Sequence, residues 1–175
     1  MPVLVLGLGN PILGDDGVGW RVVEEVERRF QSSGTGVPKS VEFDYVSLGG
    51  LALMERLIGY ERAILVDAIQ TPGGRPGDVY RLALDDLPTA HADSAHDASL
   101  KAALELGRRL GAALPADIAL VAIEAARVFD FGETLSSDVQ ASVPAAAQAV
   151  LAVLASQEST LCIMEKPSVF EKPGS

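Results

Sequence analysis

The chain has 175 residues, a formal net charge of -10, 48% apolar residues and only 5% aromatic ones. That length suits one domain with an aliphatic α/β core, and the negative charge argues against a general affinity for nucleic acid or anionic membrane. A single cysteine, Cys162, excludes an intramolecular disulfide framework and fits a reducing compartment.

Val3 to Leu6 is an apolar run without polar alternation, the pattern of a strand buried on both faces. It breaks into a loop rich in Gly, Asn and Pro, and Asp15 and Asp16 arrive just before an amphipathic helix. A strand ending in a glycine loop that carries acidic groups to a helix start is an active-site layout of open α/β sheets. The loop is no dinucleotide fingerprint, because Ile12 stands where the third glycine of G-x-G-x-x-G belongs. Two carboxylates at a helix start also repel a pyrophosphate. A Walker A loop is excluded, since no Gly-Lys-Ser/Thr follows. The loop suits a cation or a proton.

Val18, Val22, Val23, Val26 and Phe30 then form an apolar stripe at helical spacing. Residues 31–39 read as a surface connection, 41–46 as a second strand, and 51–58 as a short helix closed by Gly59. Ala63 to Val66 reads as a third buried strand ending directly on Asp67. A turn over 72–77 precedes a strand over 78–84 that alternates like a sheet edge. Residues 85–97 form a polar loop with both histidines, His91 and His96. A helix carries Leu100, Ala103, Leu104, Gly107 and Leu110, a buried strand spans 118–123, and Val139, Val143, Ala147, Val150, Leu151 and Leu154 mark a closing helix. The order predicts a three-layer α/β/α sandwich whose mostly parallel twisted sheet has an antiparallel edge strand. One domain is expected over 1–155 and a poorly ordered tail over 156–175. Met1-Pro2 leads straight into the first apolar run, and the longest apolar runs are too short or interrupted for a bilayer, so a cytoplasmic domain is expected.

Gly7-Leu8-Gly9-Asn10 followed by Gly14-Asp15-Asp16-Gly17-Val18-Gly19 resembles the opening signature of the nickel–iron hydrogenase maturation endopeptidases. With Asp67 and His96 downstream, the resemblance runs from about Pro2 to about Leu154. It implies a protease that removes the C-terminal extension of a hydrogenase large-subunit precursor after nickel insertion. It further implies that Asp16, Asp67 and His96 contact a nickel ion carried by the substrate, with Asp16 or Asp67 as general base. The partner would be that precursor, with no nucleic acid or membrane, and a monomer is expected. Gly49-Gly50 resembles a family turn near the substrate groove, but the acidic residue usual before it is replaced by Tyr45 or Val46, with Asp44 nearby.

The residues themselves leave alternatives open. Asp16 can serve as a helix N-cap, a job Asp15 would do equally well. A carboxylate ending a buried strand, as Asp67 is expected to be, must be hydrogen-bonded, paired or ligated. His96, directly before a helix, has a loop histidine as its plain alternative, and His91 reads as exposed. Asn10 fits an orienting role in the turn. Two rival functions remain: a peptidyl-tRNA hydrolase-like enzyme, whose opening also resembles Gly-Leu-Gly-Asn-Pro, and a non-catalytic nickel-binding docking module. The early histidine of the first rival is missing here, and the charge disfavours tRNA.

Overall fold

The computed structural model describes residues 2–34, 40–47, 49–84 and 97–156. His91 and His96 lie outside the described residues, as does the expected tail apart from Ser156.

Strand β1 (Val3–Leu8) is followed by a 3-10 turn (Gly14–Gly17) and helix α1 (Val18–Ser32). Then come β2 (Val41–Val46), α2 (Gly50–Leu57), β3 (Arg62–Ile69) and β4 (Val79–Ala83). Helix α3 (Asp97–Arg109), β5 (Asp117–Glu124) and α4 (Ser137–Ala155) complete the order expected from the sequence. The strands form one sheet in the order β2-β1-β3-β5-β4, parallel throughout except for the antiparallel β4–β5 pair at one edge.

Helices α1 and α4 pack together on one face, over Val5, Ile64, Val66, Val121 and Ile123. Helices α2 and α3 cover the other face, over Leu4, Leu6, Leu65 and Leu120. Covering on both faces is why β1, β3 and β5 read as unbroken apolar runs. Each fully buried Leu or Val contributes about 1.5–3 kcal/mol relative to an exposed one. The edge strands β2 and β4 keep partly exposed residues along their length.

Four local expectations change. Strand β1 continues through Gly7 to Leu8, because Gly7 pairs with Tyr45 on β2 and Val66 on β3, and its missing side chain admits α1. A Cβ on Gly7 would lie 2.9 Å from the Gly19 carbonyl oxygen. Strand β3 likewise runs on to Ile69, so Asp67 sits inside the strand, paired with Ala122, rather than at its end. Leu110 falls beyond the last turn of α3 and is 76% exposed. Helix α4 is also long and apolar enough, by length and composition, to cross a membrane, contrary to the sequence-based expectation. Its Val139, Val143, Ala147 and Val150 are buried in the core instead.

Candidate functional site

The chain leaves β1, forms β2 on one side of it, and then crosses to β3 on the other. Such a reversal opens a crevice at the carboxyl ends of the two flanking strands, the place where open α/β sheets bind ligands. The 3-10 turn carrying Asp16 follows β1 and packs against β3, the strand that carries Asp67. Gly19 makes that approach possible, since a Cβ there would overlap the carbonyl oxygens of both Leu8 and Val66.

The two consecutive aspartates have opposite fates. Asp15 is fully buried and its carboxylate faces the loop after β5. Its Oδ2 accepts the N–H groups of Ala126 at 3.0 Å and Arg127 at 2.9 Å, and the hydroxyl of Ser136 at 2.9 Å. Its Oδ1 accepts the Ser136 N–H at 2.6 Å. Four donors on one carboxylate satisfy a buried charge. The Asp15 N–H donates in turn to the Arg127 carbonyl at 2.7 Å.

Asp16 is half-buried, and the Asn10 N–H donates to its Oδ2 at 2.6 Å. Among the described residues this is the only hydrogen bond of its side chain, which leaves Oδ1 available. Neither aspartate caps a helix by a side-chain bond, so the N-cap alternative fails for both. Asn10 does orient the turn, its Oδ1 accepting the Ile12 N–H at 3.2 Å.

Asp67 is buried, and the Ala68 N–H donates to its Oδ1 at 2.8 Å. By strand alternation it shares a face with Ala63, Leu65 and Ile69, the face covered by α3. Helix α3 begins at Asp97, directly after His96 in the sequence. Among the described residues, no three His, Cys, Asp or Glu side chains are grouped to hold a metal ion. The described acidic groups on the turn and on the strand it packs against are thus two carboxylates, hard oxygen ligands that accept a divalent metal when an imidazole or substrate group completes the set.

Asp44 is not part of this arrangement. It lies mid-strand opposite Leu6 and forms an ion pair with Arg56 of α2. Both residues line a hollow of about 430 Å³ beside the β2 edge.

A third buried carboxylate, Glu124, opens the run Glu124-Ala125-Ala126-Arg127, which the sequence reads as a specificity element or plain loop, but it belongs to the sheet. Glu124 ends β5 beside Ile69, with Oε1 accepting the Thr71 N–H at 2.7 Å and Oε2 the Thr71 hydroxyl at 2.8 Å. Burial first, then the charges of Glu124 and Asp78, push the Tyr80 phenol up to about 12. A charged residue closing the apolar run 118–123 was the available signal. The Asp15–Ser136 link had none, because the partners are separated by 121 positions.

Fold and crevice together define an open α/β protein with acidic side chains at its topological switch point. A family model for hydrogenase maturation proteases matches residues 20–153. The hydrogenase expression/formation protein HupM of Azotobacter chroococcum mcd 1 is 30% identical over 156 residues, covering 87% of this chain and 71% of that one. The solved structure of the hydrogenase maturating endopeptidase HybD from Escherichia coli superposes with a TM-score of 0.75 at 29% identity, covering 88% of this chain and 92% of that one. A [NiFe] hydrogenase maturation protease HybD from Thermococcus kodakarensis gives a TM-score of 0.61 at 28% identity, covering 87% and 99%. The chain belongs to the hydrogenase maturation protease family. It is accordingly a hydrolase, an endopeptidase of hydrogenase maturation. That membership selects the maturation protease over a peptidyl-tRNA hydrolase. The family match starts at Trp20, so it includes Asp67 and His96 while Asp16 lies just ahead of it.

Proposed function

We propose that this endopeptidase removes the C-terminal extension of a nickel–iron hydrogenase large-subunit precursor after nickel has been inserted, and that it recognises the seated nickel. The observation that carries this reading is the division of labour between Asp15 and Asp16. One carboxylate is used up holding the crevice wall, and the other stands at the switch point with an oxygen available. Asp16, Asp67 and His96 are the residues assigned to the precursor's nickel. The metal is then part of the substrate, and cleavage waits for its insertion because the carboxylates gain their charge partner only at that moment.

Near a scissile carbonyl such a metal polarises the bond and lowers the pKa of a bound water. Asp16 or Asp67 then takes the proton of the attacking water as general base. The product would be the shortened large subunit and one free C-terminal peptide.

Mass spectrometry of a precursor incubated with the protein, with and without inserted nickel, tests this directly. Asp16→Asn and Asp67→Asn variants run alongside. Loss of one C-terminal peptide only from the nickel-loaded precursor, abolished in both variants, is the expected result. An intact cognate nickel-loaded precursor after incubation with the wild type would refute the reading. Binding without cleavage would favour a docking module.

A further inference from the structure

Phe129 and Phe131 are the most exposed large apolar residues among those described, at 81% and 87%. Both lie on the loop between β5 and α4, the one that the Asp15 carboxylate grips at Ala126, Arg127 and Ser136. The loop is also stitched to the turn carrying Asp16. Gly14 N–H donates to the Gly132 carbonyl at 2.8 Å, Gly132 N–H donates to the Ile12 carbonyl at 2.9 Å, and Leu13 and Gly132 form a β-bridge. Ile12, itself 42% exposed, therefore adjoins the phenylalanine loop through its backbone.

Single exposed apolar residues call for no explanation, but two phenylalanines and an isoleucine on two hydrogen-bonded loops are a different matter. Backbone bonds at Gly14, Asp15 and Gly132 and the four donors to Asp15 fix both loops at their bases. A fixed loop loses little conformational entropy on binding, so its aromatic side chains act as ready anchors. The same residue pair, Asp15-Asp16, joins this surface to the cleavage site.

We infer that Phe129 and Phe131, with Ile12 beside them, are specificity-determining residues that engage an apolar surface of the folded precursor next to its seated nickel. The inference rests on the proposed function, because it takes the precursor as the occupant. A folded protein fits better than a short peptide, since the apolar residues are spread over two separate loops joined by backbone bonds at Gly14 and Gly132. An anionic membrane is disfavoured by the net charge of -10.

The test compares wild type, a Phe129→Ser/Phe131→Ser double variant, and Leu110→Ser against nickel-loaded precursor. Leu110 is 76% exposed but follows the last turn of α3, at the opposite end of the sheet. Cleavage rates give kcat and KM, and biolayer interferometry gives Kd where no cleavage occurs. The expected result is a KM or Kd at least tenfold higher in the double variant, with kcat within twofold, an unchanged Tm, and Leu110→Ser like wild type. An unchanged KM overturns the inference, as does an equal rise in Leu110→Ser or a loss confined to kcat. Phenylalanine-dependent self-association or vesicle binding with an unchanged KM also overturns it. If wild type binds the precursor without cutting it, the protease reading falls while the Kd comparison still decides the loop.

Discussion

The Asp15 carboxylate takes both donors of Ser136, its N–H at 2.6 Å and its hydroxyl at 2.9 Å, across 121 positions of sequence. This contact closes the loop that leaves β5 against the loop that leaves β1. Among the described residues, the neighbouring Asp16 is the aspartate of the pair with oxygen to spare.

Asp15→Asn and Asp16→Asn should therefore fail in different ways. An amide at Asp15 turns one acceptor into a donor facing backbone N–H groups, costing about 3 kcal/mol through lost and unsatisfied buried hydrogen bonds. Asp16→Asn keeps an acceptor for Asn10 and should cost under about 1 kcal/mol while removing cleavage. Urea unfolding and precursor cleavage on the same two variants separate the effects.

Gly9→Ala should damage the site through backbone alone. Gly9 has φ +112, and a Cβ there would run into the Asp16 carbonyl oxygen. Strain and overlap together should cost about 2 kcal/mol or more and displace the Asp16 carboxylate. Gly34→Ala is the comparison, with φ +71 but open space around it. It should cost about 1 kcal/mol and leave cleavage intact. Equal losses of cleavage in the two variants would show that Asp16 is not held by this turn.

Tyr80 makes an alkaline prediction. Its folded pKa of about 12 lies above its ordinary value of 10.0, so the folded state holds the phenolic proton more tightly. The associated stability is complete below pH 10 and is lost as pH rises towards 12. In Tyr80→Phe the fall in Tm over that interval should be shallower than in wild type. An identical slope would mean that other groups govern alkaline unfolding.

Glu25 makes the acid counterpart. Hydrogen bonds from Arg28, and then Arg29, hold its carboxyl at about 2, below the ordinary 4.5. Its contribution is present above pH 4.5 and disappears as pH falls towards 2. The pairs lie on the surface of α1, so the effect should stay under about 1 kcal/mol and shrink with salt. Urea midpoints of wild type and Glu25→Gln should diverge at pH 5 and converge near pH 2.

Where the physics is local, the residues alone carried the answer. Unbroken apolar runs marked β1, β3 and β5, because strands covered on both faces need no polar alternation. The stripe from Val18 to Val26 marked α1, and Gly59, with φ +92, marked the end of α2. The glycine loop with its two aspartates marked the turn that follows β1. Periodicity could not end a strand, so Gly7 and Asp67 were read as breaks although both are paired within the sheet. Nor could it tell Asp15 from Asp16, since adjacent carboxylates before a helix have the same local chemistry. Only the tertiary fold brings Ala126, Arg127 and Ser136 to one of them, and it is that long-range capture of a buried charge that decides which aspartate is fully buried and which stays half-buried beside Asn10.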